Sequence, residues 1–182
     1  MENKSNKLII FFILYLIFAL LILTNSFSHI RLALTDKLYG NNKVVDNIII
    51  VKIDDESIQK IGRWPWDRDV FSRILSKISN AKAIGIDVSF FEASNNDSSL
   101  NRTLEKLDNV VLASEVNNNF LYKPIFSSSL GYVNLITDND GVTRSIDSSL
   151  KEDVLPFSFK IYEKIYGNIE KDKENYLINF IF

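Results

Sequence analysis

The sequence predicts an α/β fold: a mixed, largely parallel sheet with helices on both faces, preceded by one transmembrane helix. Three observations carry this expectation. Apolar runs rich in β-branched residues, 48–53 and 83–88, alternate with a stretch of helical periodicity between them. Both runs are nearly apolar at successive positions, broken only by Lys52 and Asp87, the pattern of strands covered on each side. Ahead of them, residues 8–23 are sixteen apolar or tyrosine side chains without interruption.

That first segment follows Lys4 and Lys7 and precedes Thr24-Asn25-Ser26. A membrane span takes about 20 residues, so the helix would extend into the interface or tilt little. The leading lysines favour a cytoplasmic start, which places the remainder of the chain outside the cell as a single-pass cell-membrane protein. The competing reading is a cleaved signal peptide, for which Ser26-Phe27-Ser28 offers a small-x-small site. Phe27, Ile30, Leu34 and Leu38 then recur at helical spacing as a stalk, which Gly40-Asn41-Asn42 breaks. The expected division is residues 1–26 as cytoplasmic start and anchor, 27–43 as stalk and linker, and 44–182 as an extracytoplasmic domain.

Within the domain, residues 48–53 read as a central strand. Asp54 or Asp55 can cap a short helix to Ile61, which Gly62 ends. Pro65 keeps Trp64-Pro65-Trp66 out of any helix. Asp67 can cap the next helix, with Val70, Phe71, Ile74, Leu75 and Ile78 on one face. Residues 83–88 form the next strand and complete a right-handed βαβ unit. A helix over 100–107 and a strand over 110–113 continue the alternation. Residues 132–135 and 142–146 flank Asp138-Asn139-Asp140-Gly141 as a hairpin, with glycine where the turn needs positive φ. A helix over 157–166 ends at Gly167-Asn168. Residues 176–182 read as a strand without a following turn, as expected of an incomplete domain.

Composition narrows the function. The 182 residues carry a net charge of −2 with both signs interspersed, so no basic stripe tracks a phosphate backbone and nucleic acid is not an expected partner. With no cysteine, thiolate metal sites and cysteine nucleophiles are excluded. The single histidine, His29, lies beside the anchor, which removes a Ser/His/Asp triad from the domain.

Open α/β sheets bind ligands at the carboxyl ends of their strands. Asp54, Asp55, Asp87 and Glu92 stand at or beyond two such ends, and Trp64 and Trp66 lie between them. These six are the candidate ligand-binding residues; no catalytic residue, metal site or cofactor is assigned. The acids could contact a ligand or cation, or serve as helix caps and ion-pair partners of Arg63 and Arg68, with Asp87 expected to be buried. The indoles could wall a binding surface or pack over the sheet end. The alternative function is a membrane-anchored hydrolase holding a divalent cation on Asp54, Asp55 and Asp87. Residues 138–141 do not make an EF-hand loop, because Ile136 would occupy the first ligand position. Gly85 reads as a close-packing position inside its strand.

Several segments in order resemble the type-two CHASE domain: Ile53-Asp54-Asp55-Glu56-Ser57, Gly62-Arg63-Trp64-Pro65-Trp66-Asp67-Arg68, and Ala83-Ile84-Gly85-Ile86-Asp87-Val88-Ser89-Phe90-Phe91-Glu92. Gly131-Tyr132-Val133-Asn134 and Asp138-Asn139-Asp140-Gly141-Val142-Thr143-Arg144 extend the likeness, which covers about Leu32 to Phe182. The resemblance implies an extracytoplasmic sensory domain of a bacterial membrane receptor in signal transduction, with a kinase or cyclase output outside this chain. It implies no enzyme activity in the chain itself. The implied partners are the membrane and a small-molecule or protein signal, and a homodimer is left open.

Overall fold

An eight-residue strand of nearly continuous apolar side chains, Val110–Asn117, is the axis around which the domain is built. The structure, a computed structural model, describes residues 4–24, 34, 36, 47–169 and 175–177. It divides into two units, Met1–Asn47 with Asn179–Phe182, and Ile48–Ile178.

The first unit contains helix α1, Lys4–Leu23, whose stretch Asn6–Leu23 is long and apolar enough to cross a membrane and is not buried by protein. Its end is tightened by Thr24, whose hydroxyl donates to the Leu20 carbonyl at 2.9 Å. The expected stalk lies outside the described residues apart from Leu34 and Asp36, which are both helical.

In the second unit the described elements run α2 (Asp55–Ile61), α3 (Arg68–Ile78), β1 (Ile84–Ile86), α4 (Asp97–Leu104), β2 (Val110–Asn117), β3 (Phe120–Tyr122), β4 (Ser129–Tyr132), β5 (Ile136–Thr137), β6 (Thr143–Asp147), α5 (Phe157–Tyr166) and β7 (Asn175–Leu177). β2 pairs in parallel with β1 and β4, and its far end pairs antiparallel with β3. A second sheet, β5-β6-β7, is antiparallel. The architecture is mixed α/β with a mixed sheet.

Alternation along the strands decides which helix each residue meets. Ile84, Val110 and Leu112 pack with Val70, Phe71 and Leu75 of α3 and Leu100 and Leu104 of α4. Gly85, one place out of phase, lies under α5: a Cβ there would sit 2.4 Å from Ile161 Cδ1 and 3.0 Å from Phe157. Gly131 of β4 approaches the same helix more tightly, with a Cβ falling 2.6 Å from the Phe157 Cα. The close-packing reading of Gly85 holds.

Two expectations are corrected. Residues 48–53 are in no ladder, and Ile49 and Ile50 are 86% and 85% exposed. A β-branched apolar composition selects extended backbone, but a strand also needs a neighbour, and β1 pairs only with β2 among the described residues. The expected βαβ unit therefore lacks its first strand. The hairpin is also shifted. Tyr132 belongs to β4 beside Ser114, and β5 supplies the partner of β6. Gly131 explains this, because its missing side chain lets the segment enter the main sheet under α5. Of the expected final strand, 176 and 177 lie in β7 and residues 178–182 lie outside the described residues.

Candidate functional site

The loop between α2 and α3 and the loop between β1 and α4 are stitched together by α3's first turn. Asp67 caps α3 by accepting from the Asp69 N–H at 3.0 Å, and its carboxylate also takes both contacts of the Asn96 amide at 3.0 and 2.9 Å. Those bonds, the Asp69 N–H first, hold the Asp67 carboxyl below the ordinary carboxylate range. Arg68 is buried, and its guanidinium donates to Asp97 Oδ1 at 3.0 Å and to the Glu92 carbonyl at 3.0 Å while lying 4.5 Å from the centre of the Phe90 ring. A buried charge needs such pairing, so Arg68 ties one loop to the other.

Between the clamps sit the two indoles. Trp66 is 6% exposed and donates its ring N–H to the Gly62 carbonyl at 2.8 Å. Trp64 is 39% exposed, and its bond to Pro65 is cis. The rings stand edge to face at 5.7 Å, and the same geometry continues from Trp64 to Phe71 at 6.1 Å, Phe71 to Phe90 at 5.1 Å and Phe90 to Phe126 at 5.7 Å. Trp64 is thus the solvent end of an aromatic series that runs into the core. The two sequence readings divide between the residues: Trp66 is core and Trp64 presents surface.

The acids also divide. Asp54 is the cap of α2, accepting from the Ser57 N–H at 3.0 Å while the Ser57 hydroxyl accepts from the Asp54 N–H at 2.8 Å. That bond from the Ser57 N–H, with Lys52 beside the carboxylate at 2.9 Å, keeps the Asp54 carboxyl below the ordinary value. Asp55, Asp87 and Glu92 are exposed, and their carboxylates have no hydrogen-bond or ion-pair partner among the described residues. The expected burial of Asp87 is corrected: β1 ends at Ile86, so Asp87 lies past the covered part of the strand, and Arg68 reaches Asp97 instead. Glu92 is brought to Arg68 through its backbone. Asp54, Asp55 and Asp87 form no group of acids close enough to hold a metal ion among the described residues, so the metal-hydrolase arrangement is not assembled.

Sequence reasoning missed three clamps at the other segments. Arg144, 5% exposed, donates to Asp138 at 2.9 Å and grips Asp140 with two nitrogens at 2.9 and 2.8 Å, holding the Asp140 carboxyl at about 2. Tyr132, buried, donates its hydroxyl to the Asp147 carbonyl. The Asn134 side chain pairs with both the N–H and the carbonyl of Val116 at 2.8 Å, imitating a strand neighbour. The available signal was the charge alternation Asp138, Asp140, Arg144 around a turn.

The described residues include open depressions. One of about 470 Å³ is lined by Ser129, Leu130, Glu152, Lys160 and Glu163 among others, and one of about 360 Å³ by serines, Arg73 and Lys77 of α3 with Ser99 of α4. Neither includes any of the six candidate residues.

In comparison with known families, residues 11–180 match the CHASE2 domain. No match is found among curated proteins or among solved structures.

Proposed function

Taking as premise that the chain belongs to the CHASE2 family, whose members are extracytoplasmic sensory domains, we propose that it is the sensor of a bacterial membrane receptor, tethered by α1. The family match over nearly the whole chain carries the reading. Helix α1 supports the tether, since an unburied apolar helix of this length belongs in hydrocarbon rather than water. In this reading residues 1–26 are the cytoplasmic start and anchor, 27–43 the link and 44–182 the sensor. The family is sensory rather than catalytic, which fits a chain that leaves enzymatic output to another part of a receptor.

The signal binds at the exposed face of Trp64 with the carboxylates of Asp55, at the start of α2, and of Asp87 and Glu92, in the loop between β1 and α4, and with Asp54 and Trp66 as supports. What favours this place is that Trp64 is partly exposed and leads through edge-to-face contacts to Phe71 and Phe90, and that the side chains of Asp55, Asp87 and Glu92 are exposed. A ligand there acts by binding two arrangements of the aromatic series unequally. A charge-directed contact predicts a cationic or hydrogen-bond-donating ligand.

Thermal-shift screening of the full chain against a panel of amines, amino acids and short cationic peptides tests the site. The expected result is a stabilising compound whose effect is lost in Asp87→Ala, a substitution at an exposed position that leaves the melting curve of the free protein unchanged. A compound that stabilises the wild type and Asp87→Ala equally would remove the assignment.

A further inference from the structure

The same domain carries an unpaired extended segment and an unpaired sheet edge. Apart from Lys52, residues 48–53 are apolar on both faces, and Ile48, Ile49, Ile50, Val51 and Ile53 are each exposed. β1 has an outer edge, being hydrogen-bonded only to β2 among the described residues. The rim of that edge is apolar on both sides: Ile86 and Val88 are half-buried against the α3 core, and Gly85 is exposed beside the half-buried Phe157 and Ile161 of α5. A strand laid along β1 would need apolar side chains on both faces. Among the described residues, 48–53 is the exposed non-helical segment with that pattern.

The run does not lie on its own β1. Its exit is set at Asp54, whose capping box with Ser57 holds extended backbone (φ −127°, ψ 177°) and whose carboxylate is paired with Lys52. Helix α2 is in turn fixed through Ile58, packed against the core. The donor leaves α2 in a defined direction, and no described residue takes the edge of β1 opposite β2.

We infer that two copies complete each other: residues 48–53 of each lie as a parallel strand along the outer edge of β1 of the second copy. The exchange is reciprocal, so it closes as a two-fold dimer and leaves neither edge free for further addition. Backbone bonds to β1 supply the affinity, and the alternating isoleucines fill the apolar rims on either side. Two chains anchored through α1 in one membrane are held at high local concentration, which favours the exchange. This inference is independent of where a signal binds.

The absence of cysteine makes the test direct. Full-length chains bearing Ile50→Cys and one tag are mixed in phospholipid vesicles with chains bearing Ile86→Cys and a second tag, then treated with a short bis-maleimide that spans neighbouring registers. The expected outcome is a mixed-tag dimer, and its loss when Ile48→Pro and Ile49→Pro are added to both chains, because adjacent N–H groups point to opposite sides of a strand and one of the two prolines must remove a donor to β1. Since Ile48 and Ile49 lie in no ladder of the single chain, circular dichroism of the proline variants stays unchanged. The inference is overturned if no mixed-tag dimer forms, if an Ile50→Cys/Ile86→Cys chain cross-links only within itself, or if the dimer persists undiminished in the proline variants.

Discussion

At the scale of single residues, the polar side chains do more to fasten loops than to present chemistry. Asp140 illustrates this, with its carboxyl brought from 3.8 to about 2, chiefly by the hydrogen bonds from Arg144. Because the folded value lies below the unfolded one, its contribution is full above about pH 4 and is lost as pH falls toward 2. The melting temperature of the wild type is therefore expected to exceed that of Asp140→Asn above pH 4, with the gap closing by about pH 2; a gap independent of pH would contradict the clamp. Tyr132 titrates in the opposite sense. Burial, with the charge of Asp147 added, raises its phenol to about 12. Its contribution is present below about pH 10 and lost between about 10 and 12. Tyr132→Phe should cost about 1 kcal/mol in urea unfolding at neutral pH and abolish that alkaline loss. The charges around the turn were legible beforehand but their pairing was not, since pairing across a turn depends on which rotamers the fold permits. The capping aspartates were legible, because Asp54 and Asp67 each stand directly before a helical pattern.

At the scale of elements, periodicity located helices well and strand partners poorly. The stripe of Val70, Phe71, Ile74, Leu75 and Ile78 is the buried side of α3, as its spacing requires. The strands expected over 83–88 and 110–113 overlap β1 at 84–86 and β2 at 110–117, but residues 48–53 have a similar composition and no ladder. Pairing is a property of two segments, so one run cannot reveal it. Close approach separates two glycines that look alike in sequence. A Cβ on Gly131 meets the Phe157 backbone at 2.6 Å, whereas one on Gly85 first meets the flexible end of Ile161. Gly131→Ala is expected to destabilise by about 1–3 kcal/mol in urea titration and Gly85→Ala by less; the reverse order would contradict the packing of α5. Helix α2 offers a test of the role of Asp54. Asp54→Asn keeps a side chain that caps, and Asp54→Ala does not, so only the alanine variant should lower the melting temperature. Ligand binding lost in Asp54→Asn with stability retained would show that its charge also serves the site.

For the whole molecule, the family match over residues 11–180 carries the sensory reading, and the aromatic core and the parallel pairs around β2 are the frame on which it rests. The family was legible because several segments occur in order, whereas the division of Trp66 to the core and Trp64 to the surface was not legible, since both readings of the indoles were open in the sequence. Membrane sidedness is the claim on which the sensor reading depends. It can be measured with a single introduced thiol, Asn95→Cys, at an exposed position of the loop before α4. Intact bacterial cells expressing this full-length variant are treated with a membrane-impermeant maleimide, after their outer membrane, if present, is made permeable. Labelling without disruption of the cytoplasmic membrane is the predicted result; labelling only after that membrane is broken would place the domain in the cytoplasm and contradict the account.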